Sequence, residues 1–128
     1  MNAKKKILVV EDDSDINDAL TIRLGAAGYS VYQAEDGLQG LISALREQPD
    51  LLILDISLPA GDGFSVIERA RLHDSMANTP FIMITASKRP ELRGQAMAMG
   101  AAAFLEKPYS SSELLAKVSE AVGSTSTI

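Results

Sequence analysis

Reactive side chains stand behind the apolar runs of this sequence. Glu11, Asp12 and Asp13 follow residues 7–10, Asp55 follows 51–54, Thr85 follows 81–84, and Lys107 comes just after 102–105. Carboxylates gathered without compensation repel one another and hold their protons more tightly. A divalent cation removes that conflict. Hard ions such as Mg²⁺ prefer carboxylate oxygens and retained water, commonly beside phosphate, and a lysine in the same place adds positive charge. A carboxylate can itself attack phosphorus and form an aspartyl phosphate. The group therefore reads as a phosphate pocket with an oxygen-ligand metal. Asp55 is its candidate nucleophile, because it ends the central and most apolar run.

Whether these residues meet depends on the elements that carry them. Five short apolar runs, at 7–10, 31–34, 51–54, 81–84 and 102–105, alternate with five stretches of helical character. The first, third and fourth runs are apolar at every position, as strands covered on both faces are. The first helix is expected to be capped by Ser14, to carry Ile16, Ala19, Leu20, Leu24 and Ala27 on one side, and to end at Gly28. Asp36 caps the second, in which Leu38, Leu41, Ile42 and Leu45 recur at helical spacing, and Pro49 closes it. The third is expected from about Phe64 to His73, and the fourth from near Pro90 to Gly100. The fifth opens on Ser110-Ser111-Ser112-Glu113, a capping box, and buries Leu114, Leu115, Val118 and Val122. Strict alternation implies an α/β fold, a doubly wound parallel sheet with right-handed crossovers and five helices on its two faces. In such a sheet ligands sit beyond the carboxyl ends of the strands. That is the edge to which the reactive residues are delivered.

The bulk properties narrow the classes further. With 128 residues, 46% of them hydrophobic and 23% charged, the chain is expected to be one domain with a single core, about 6–122, and a frayed tail at 123–128. A net charge of −5 denies it the basic surface of nonspecific nucleic-acid binding. No apolar run is long enough for a bilayer. Lys4 to Lys6 precede a short run that acids follow at once, a strand entry rather than an export signal, so the expected address is the cytoplasm. The absence of cysteine excludes a thiol nucleophile and Cys-type zinc sites. His73, the only histidine, is expected on the surface, and no Ser-His-Asp arrangement forms around it. Gly61-Asp62-Gly63 lacks the third glycine of a dinucleotide loop and does not follow a strand end.

Taken in order, Glu11-Asp12, Asp55 with Leu58-Pro59 and Asp62-Gly63 behind it, Thr85-Ala86 and Lys107-Pro108 resemble the receiver domain of bacterial two-component response regulators. Any one of these motifs is weak; the ordered set is specific. The resemblance runs over about 6–122 and implies a receiver of the single-domain type across 1–128, flavodoxin-like, with strand order 2-1-3-4-5. It implies Asp55 as phosphoacceptor and Mg²⁺ (or Mn²⁺) held by Glu11, Asp12, Asp55 and the backbone carbonyl of Ser57. Thr85 and Lys107 would bind the phosphoryl group, and Thr85 and Phe104 would be the switch residues. The implied function is phosphorelay signalling. A histidine kinase or phosphotransfer protein donates to Asp55, and the fourth helix, fifth strand and fifth helix present a surface to a downstream protein, with no nucleic-acid or membrane partner. Catalysis would be confined to transfer to, and hydrolysis from, its own Asp55. The rival is an aspartyl-phosphate phosphatase of the haloacid dehalogenase type. Those enzymes place a second aspartate two residues after the first as general acid and base. Ser57 stands there, so turnover of outside substrates lacks its proton shuttle.

Overall fold

The apolar runs pair into one five-stranded parallel sheet, and the helices between them cover both faces. The computed structural model describes residues 3–123, in the order β1 (Lys6–Val10), α1 (Ser14–Ala26), β2 (Ser30–Ala34), α2 (Gly37–Glu47), β3 (Leu51–Asp55), α3 (Gly63–Ala70), a 3-10 turn at Asp74–Met76, β4 (Phe81–Thr85), α4 (Glu91–Ala98), β5 (Ala103–Glu106) and α5 (Ser111–Gly123). The strand order is β2-β1-β3-β4-β5 and every pairing is parallel. The fold class and strand order are as expected.

Alternation along the strands divides the core in two. Ile7, Val9, Ile53 and Ile84 meet α1 and α5 through Leu20, Leu24, Leu114 and Val118. Leu8, Val10, Leu54 and Met83 face α2, α3 and α4, where Val66, Ile67 and Leu92 close over them. β3 and β4 are buried at every position, which accounts for the unbroken apolar runs at 51–54 and 81–84. Among the described residues no helix is long and apolar enough to cross a membrane.

Several local expectations are corrected. The cap of α1 is Asp13, not Ser14: its Oδ1 accepts from the N–H groups of Asp15 and Ile16 at 3.0 and 3.1 Å, and Ser14 is the first helical residue. A carboxylate meets the positive end of the helix better than a hydroxyl does. In α2 the leucine-isoleucine stripe is only partly covered, with Leu38 and Ile42 about half exposed at 55% and 50%. The buried face belongs to Gly37, Gly40, Ser43 and Ala44, one position round the helix, and at Gly40 the missing side chain lets the backbone approach β1. A Cβ on Gly40 would already lie 3.0 Å from Val10.

α3 ends at Ala70 rather than His73. The chain turns there to bury Met76 in the 3-10 segment, leaving Leu72 exposed and His73 on the surface. In α5, Ser110 Oγ accepts from Glu113 N–H at 3.0 Å as the capping box requires, while Leu115 is only partly buried. Gly123, expected in the tail, is the last residue of α5; the rest of that tail, 124–128, lies outside the described residues.

Candidate functional site

The carboxyl edge of the sheet is assembled from the ends of its strands. Asn17, a buried amide on α1, fixes the end of β1: its Nδ2 donates to the carbonyls of Glu11 (3.1 Å) and Ala34 (3.0 Å). Glu11 N–H also donates to Ala34 O at 3.1 Å, so the turn into the acidic segment is tied to β2. The Glu11 side chain points inward, and its Oε2 accepts from Asp13 N–H at 3.1 Å. Across the edge, Lys107 N–H donates to Thr85 O at 2.8 Å, setting the root of the lysine against β4. The Lys107–Pro108 peptide bond is cis.

Those supports bring five of the expected residues together. Lys107 Nζ donates to Asp55 Oδ2 at 2.8 Å and to Glu11 Oε1 at 2.9 Å, while Asp55 Oδ1 accepts from Ser57 N–H at 2.9 Å. Carboxylate oxygens of Glu11, Asp12 and Asp55 lie within 4.8 Å of one another. Asp55 and Glu11 are buried, at 6% and 3% exposure, whereas Asp12 is exposed and leaves the cluster open to solvent on its side.

The electrostatics follow from that burial. Desolvation pushes the Glu11 carboxyl above its ordinary range, and the negative charge of Asp55 adds to the effect. The hydrogen bonds from Lys107 and from Asp13 N–H offset only part of it. Burial works to lower Lys107, but its bonds to Asp55 and Glu11 outweigh that, so the ammonium is held above its ordinary value. One ammonium among three carboxylates leaves the cluster negative when all are ionised. Oxygen-only donors, an excess of negative charge and one open side fit a hard divalent cation that keeps some of its water. No softer donor is present in the cluster.

The remaining expected residues lie close by in different roles. Thr85 ends β4 one residue beyond the partner of Asp55 and is fully buried, and its Oγ1 accepts from Ser87 N–H at 3.0 Å. Phe104 is two residues short of the end of β5, buried on the α4 side of the sheet, with the Arg93 guanidinium 4.9 Å from its ring centroid. Sequence reasoning missed Asn17 and Arg93. A lone amide set between Ile16 and Leu20 at helical spacing was the available signal for Asn17. For Arg93 there was none, since one exposed arginine on α4 is unremarkable until the ring beneath it is known.

Known proteins resemble this chain in sequence and in fold. Residues 7–119 match the response regulator receiver domain. The chain is 42% identical over 113 residues to the DNA-binding dual master transcriptional regulator RpaA of Synechocystis sp., covering 88% of this chain and 47% of that protein. It is 38% identical over 114 residues to the transcriptional regulatory protein GltR of Pseudomonas aeruginosa, with coverage of 89% and 47%. The chain thus spans about half the length of these curated relatives. In three dimensions it is similar to the chemotaxis protein CheY4 of Vibrio cholerae, with a TM-score of 0.86 and 31% identity over 93% of this chain and 99% of that one. It is also similar to a chain of the CheX-CheY-BeF3-Mg complex of Borrelia burgdorferi, with a TM-score of 0.83 and 26% identity over 91% and 87%. With that match, that fold and that cluster at the sheet edge, the chain belongs to the response regulator receiver domain family, the phosphorelay signalling domains of two-component systems.

Proposed function

We propose that Asp55 is the phosphoacceptor of this receiver domain, with Mg²⁺ (or Mn²⁺) held beside it by Glu11, Asp12, Asp55 and the backbone carbonyl of Ser57. The observation that carries the reading is the meeting of the Glu11, Asp12 and Asp55 oxygens within 4.8 Å, with Lys107 Nζ 2.8 Å from Asp55. A relative solved with BeF3 and Mg, as its name states, supports the same pairing of anion and metal. An Asp55 oxygen forms the new bond to phosphorus as the bond to the donor breaks, the donor being a phosphohistidine on a kinase or phosphotransfer protein. Ser57 N–H and Lys107 fix the carboxylate from its two oxygens. The metal, when bound, neutralises oxygens during transfer. We read residues 3–123 as one receiver unit in the cytoplasm, where ATP supplies phosphohistidine donors.

The acidic partners of the metal differ in exposure, and this gives a direct test. Asp12→Ala removes an exposed ligand together with a source of repulsion. It is expected to weaken Mg²⁺ binding by roughly tenfold, about 1.4 kcal/mol, while the metal-free protein melts no lower than wild type. Calorimetric titration and a melting curve check both. Unchanged affinity would place the metal elsewhere.

The phosphoryl group brings charge and acceptor oxygens. Thr85 keeps its hydroxyl hydrogen available while accepting from Ser87, and Lys107 already sits on Asp55. Each offers a charge-assisted bond of about 1.5–3 kcal/mol. Moving a two-state equilibrium from 1:99 to 99:1 takes about 5.5 kcal/mol. The two bonds reach that scale only at their upper limit, and Lys107 exchanges its bond to Asp55 to make one of them, so phosphorylation alone gives a partial shift that a protein partner completes on the surface of α4, β5 and α5. Phe104, as the switch aromatic, must leave a buried seat and its contact with Arg93, worth about 0.5–1 kcal/mol. Hydrogen exchange is expected to change at 85–87 and 104–107 on phosphorylation. A response confined to the Asp55 loop would leave the acceptor intact and remove the switch.

This is a signalling switch and not a turnover enzyme, because Ser57 occupies the place of the second aspartate. The dehalogenase-type alternative finds no support in the relatives, which are regulators and receivers. Given phosphomonoesters and Mg²⁺, the protein is expected to release no more phosphate than Asp55→Asn does. Steady multiple turnover would favour the phosphatase.

A further inference from the structure

Both helices beside the Asp55 loop begin with glycine, Gly37 in α2 and Gly63 in α3, each directly after the aspartate that caps its helix. Neither lies in the left-handed region, and a glycine at a helical position gives up stability relative to alanine. Conformation does not explain them; space does. A Cβ on Gly63 would lie 2.7 Å from the carbonyl oxygen of Asp55. A Cβ on Gly37 would lie 2.0 Å from the carbonyl oxygen of Gly61 and 2.5 Å from that of Ala60. Every one of these neighbours is backbone, so no side-chain rotation relieves the clash.

The segment pressed against Gly37 is itself held in an uncommon shape. Ala60 has φ 55° and Gly61 φ 104°. A non-glycine residue in the left-handed region persists only where its surroundings hold it there. Gly37 N–H donates to Pro59 O at 2.9 Å, directly before Ala60. At the other end of the loop, Gly63 N–H donates to Ile56 O at 3.0 Å and Ile56 N–H to Ile84 O at 2.9 Å. Between the two anchorages stands Ser57, whose N–H holds Asp55 Oδ1.

We propose that Gly37 is a positioning residue for phosphoryl transfer. The bare Cα and the N–H at the head of α2 clamp residues 57–62 in the geometry that keeps Ser57 on Asp55. The inference rests on Asp55 as acceptor and on the Ser57 carbonyl as a metal ligand, and it adds a residue that touches neither. A methyl group at 37 requires roughly 1 Å of movement to reach even the closest contacts that real Cβ atoms make, and a misplacement on the order of 1 Å is enough to cost about 10²-fold in rate.

Gly40 supplies the control. It lies one turn further along α2, and a Cβ there would meet the Val10 side chain at 3.0 and 3.1 Å without touching the loop. Gly37→Ala, Gly40→Ala and wild type would be compared by hydrogen exchange over 56–62, Mg²⁺ titration, and the rate of labelling by acetyl phosphate. Gly37→Ala is expected to exchange faster across the loop, to bind Mg²⁺ roughly tenfold more weakly and to label about 10- to 100-fold more slowly. Gly40→Ala is expected to lose stability yet stay near wild type in all three. Wild-type loop exchange in Gly37→Ala, or equal slowing in Gly40→Ala, overturns the proposal. Should Gly37→Ala fail to fold, the wild type decides: the Gly37 amide resonance should follow Mg²⁺ with the same apparent Kd as that of Ser57, and a Gly37 amide indifferent to Mg²⁺ overturns the clamp. If wild type takes no phosphoryl group at Asp55, the acceptor reading fails by itself. Loop exchange in Gly37→Ala then supports the clamp if it is faster and overturns it if it is unchanged.

Discussion

Lys107→Met is expected to lose about 3 kcal/mol of stability at neutral pH without metal, and to recover most of it in Mg²⁺. The ammonium lies 2.8 Å from Asp55 and 2.9 Å from Glu11, both of them buried. Removing one member of a buried ion pair typically costs about 3–5 kcal/mol, because the partner's charge is left uncompensated. Here the loss has a ceiling. Glu11 can take up a proton instead, at about 1.4 kcal/mol for each pH unit above its ordinary value. From 4.5 to neutral pH that comes to roughly 3.4 kcal/mol, so the lower end of the range applies.

The same reasoning sets the pH dependence. Burial raises Glu11 above its unfolded value, and losing Lys107 raises it further. A carboxyl raised in this way contributes stability that is full below the unfolded value and is lost as pH rises through the folded one. The deficit of the variant therefore grows from acid toward neutral pH and is smallest below pH 4.5. Denaturation midpoints at acid and neutral pH, with and without Mg²⁺, measure it. Equal midpoints for the variant and wild type at neutral pH would mean that Lys107 does not compensate these carboxylates.

The site was legible because a parallel sheet turns a linear rule into a spatial one. Residues directly behind apolar runs arrive at one edge, and Glu11, Asp12, Asp55 and Lys107 met there although Glu11 and Lys107 are far apart in the chain. Strand order was not legible from the alternation. A strand buried at every position, like Leu51–Asp55, does not encode which neighbours it pairs with, and the order came from the resemblance alone. The covered face of α2 was misplaced for a related reason. Periodicity weighs hydrophobicity, so it favoured Leu38 and Ile42, whereas close approach to β1 selects for small volume at Gly40 and Ala44. At the start of α1, Asp13 and Ser14 are both good caps, and only the backbone decides between them. Gly37 was invisible because the carbonyls it accommodates belong to a loop more than twenty residues away.

Loss of phosphoryl labelling in Asp55→Asn tests the central claim most directly. The amide keeps the size of the carboxylate and an oxygen for Ser57 N–H, so the loop retains its support. It also takes one charge out of the cluster, and Lys107 keeps its bond to Glu11 at 2.9 Å. What it lacks is the anionic oxygen that forms the bond to phosphorus. Incubated with acetyl phosphate and Mg²⁺, wild type should gain one phosphoryl group by intact-mass spectrometry, lost again on mild alkaline treatment as an acyl phosphate is. Asp55→Asn should gain none. Labelling of Asp55→Asn at the wild-type level would contradict the assignment of Asp55 as the acceptor.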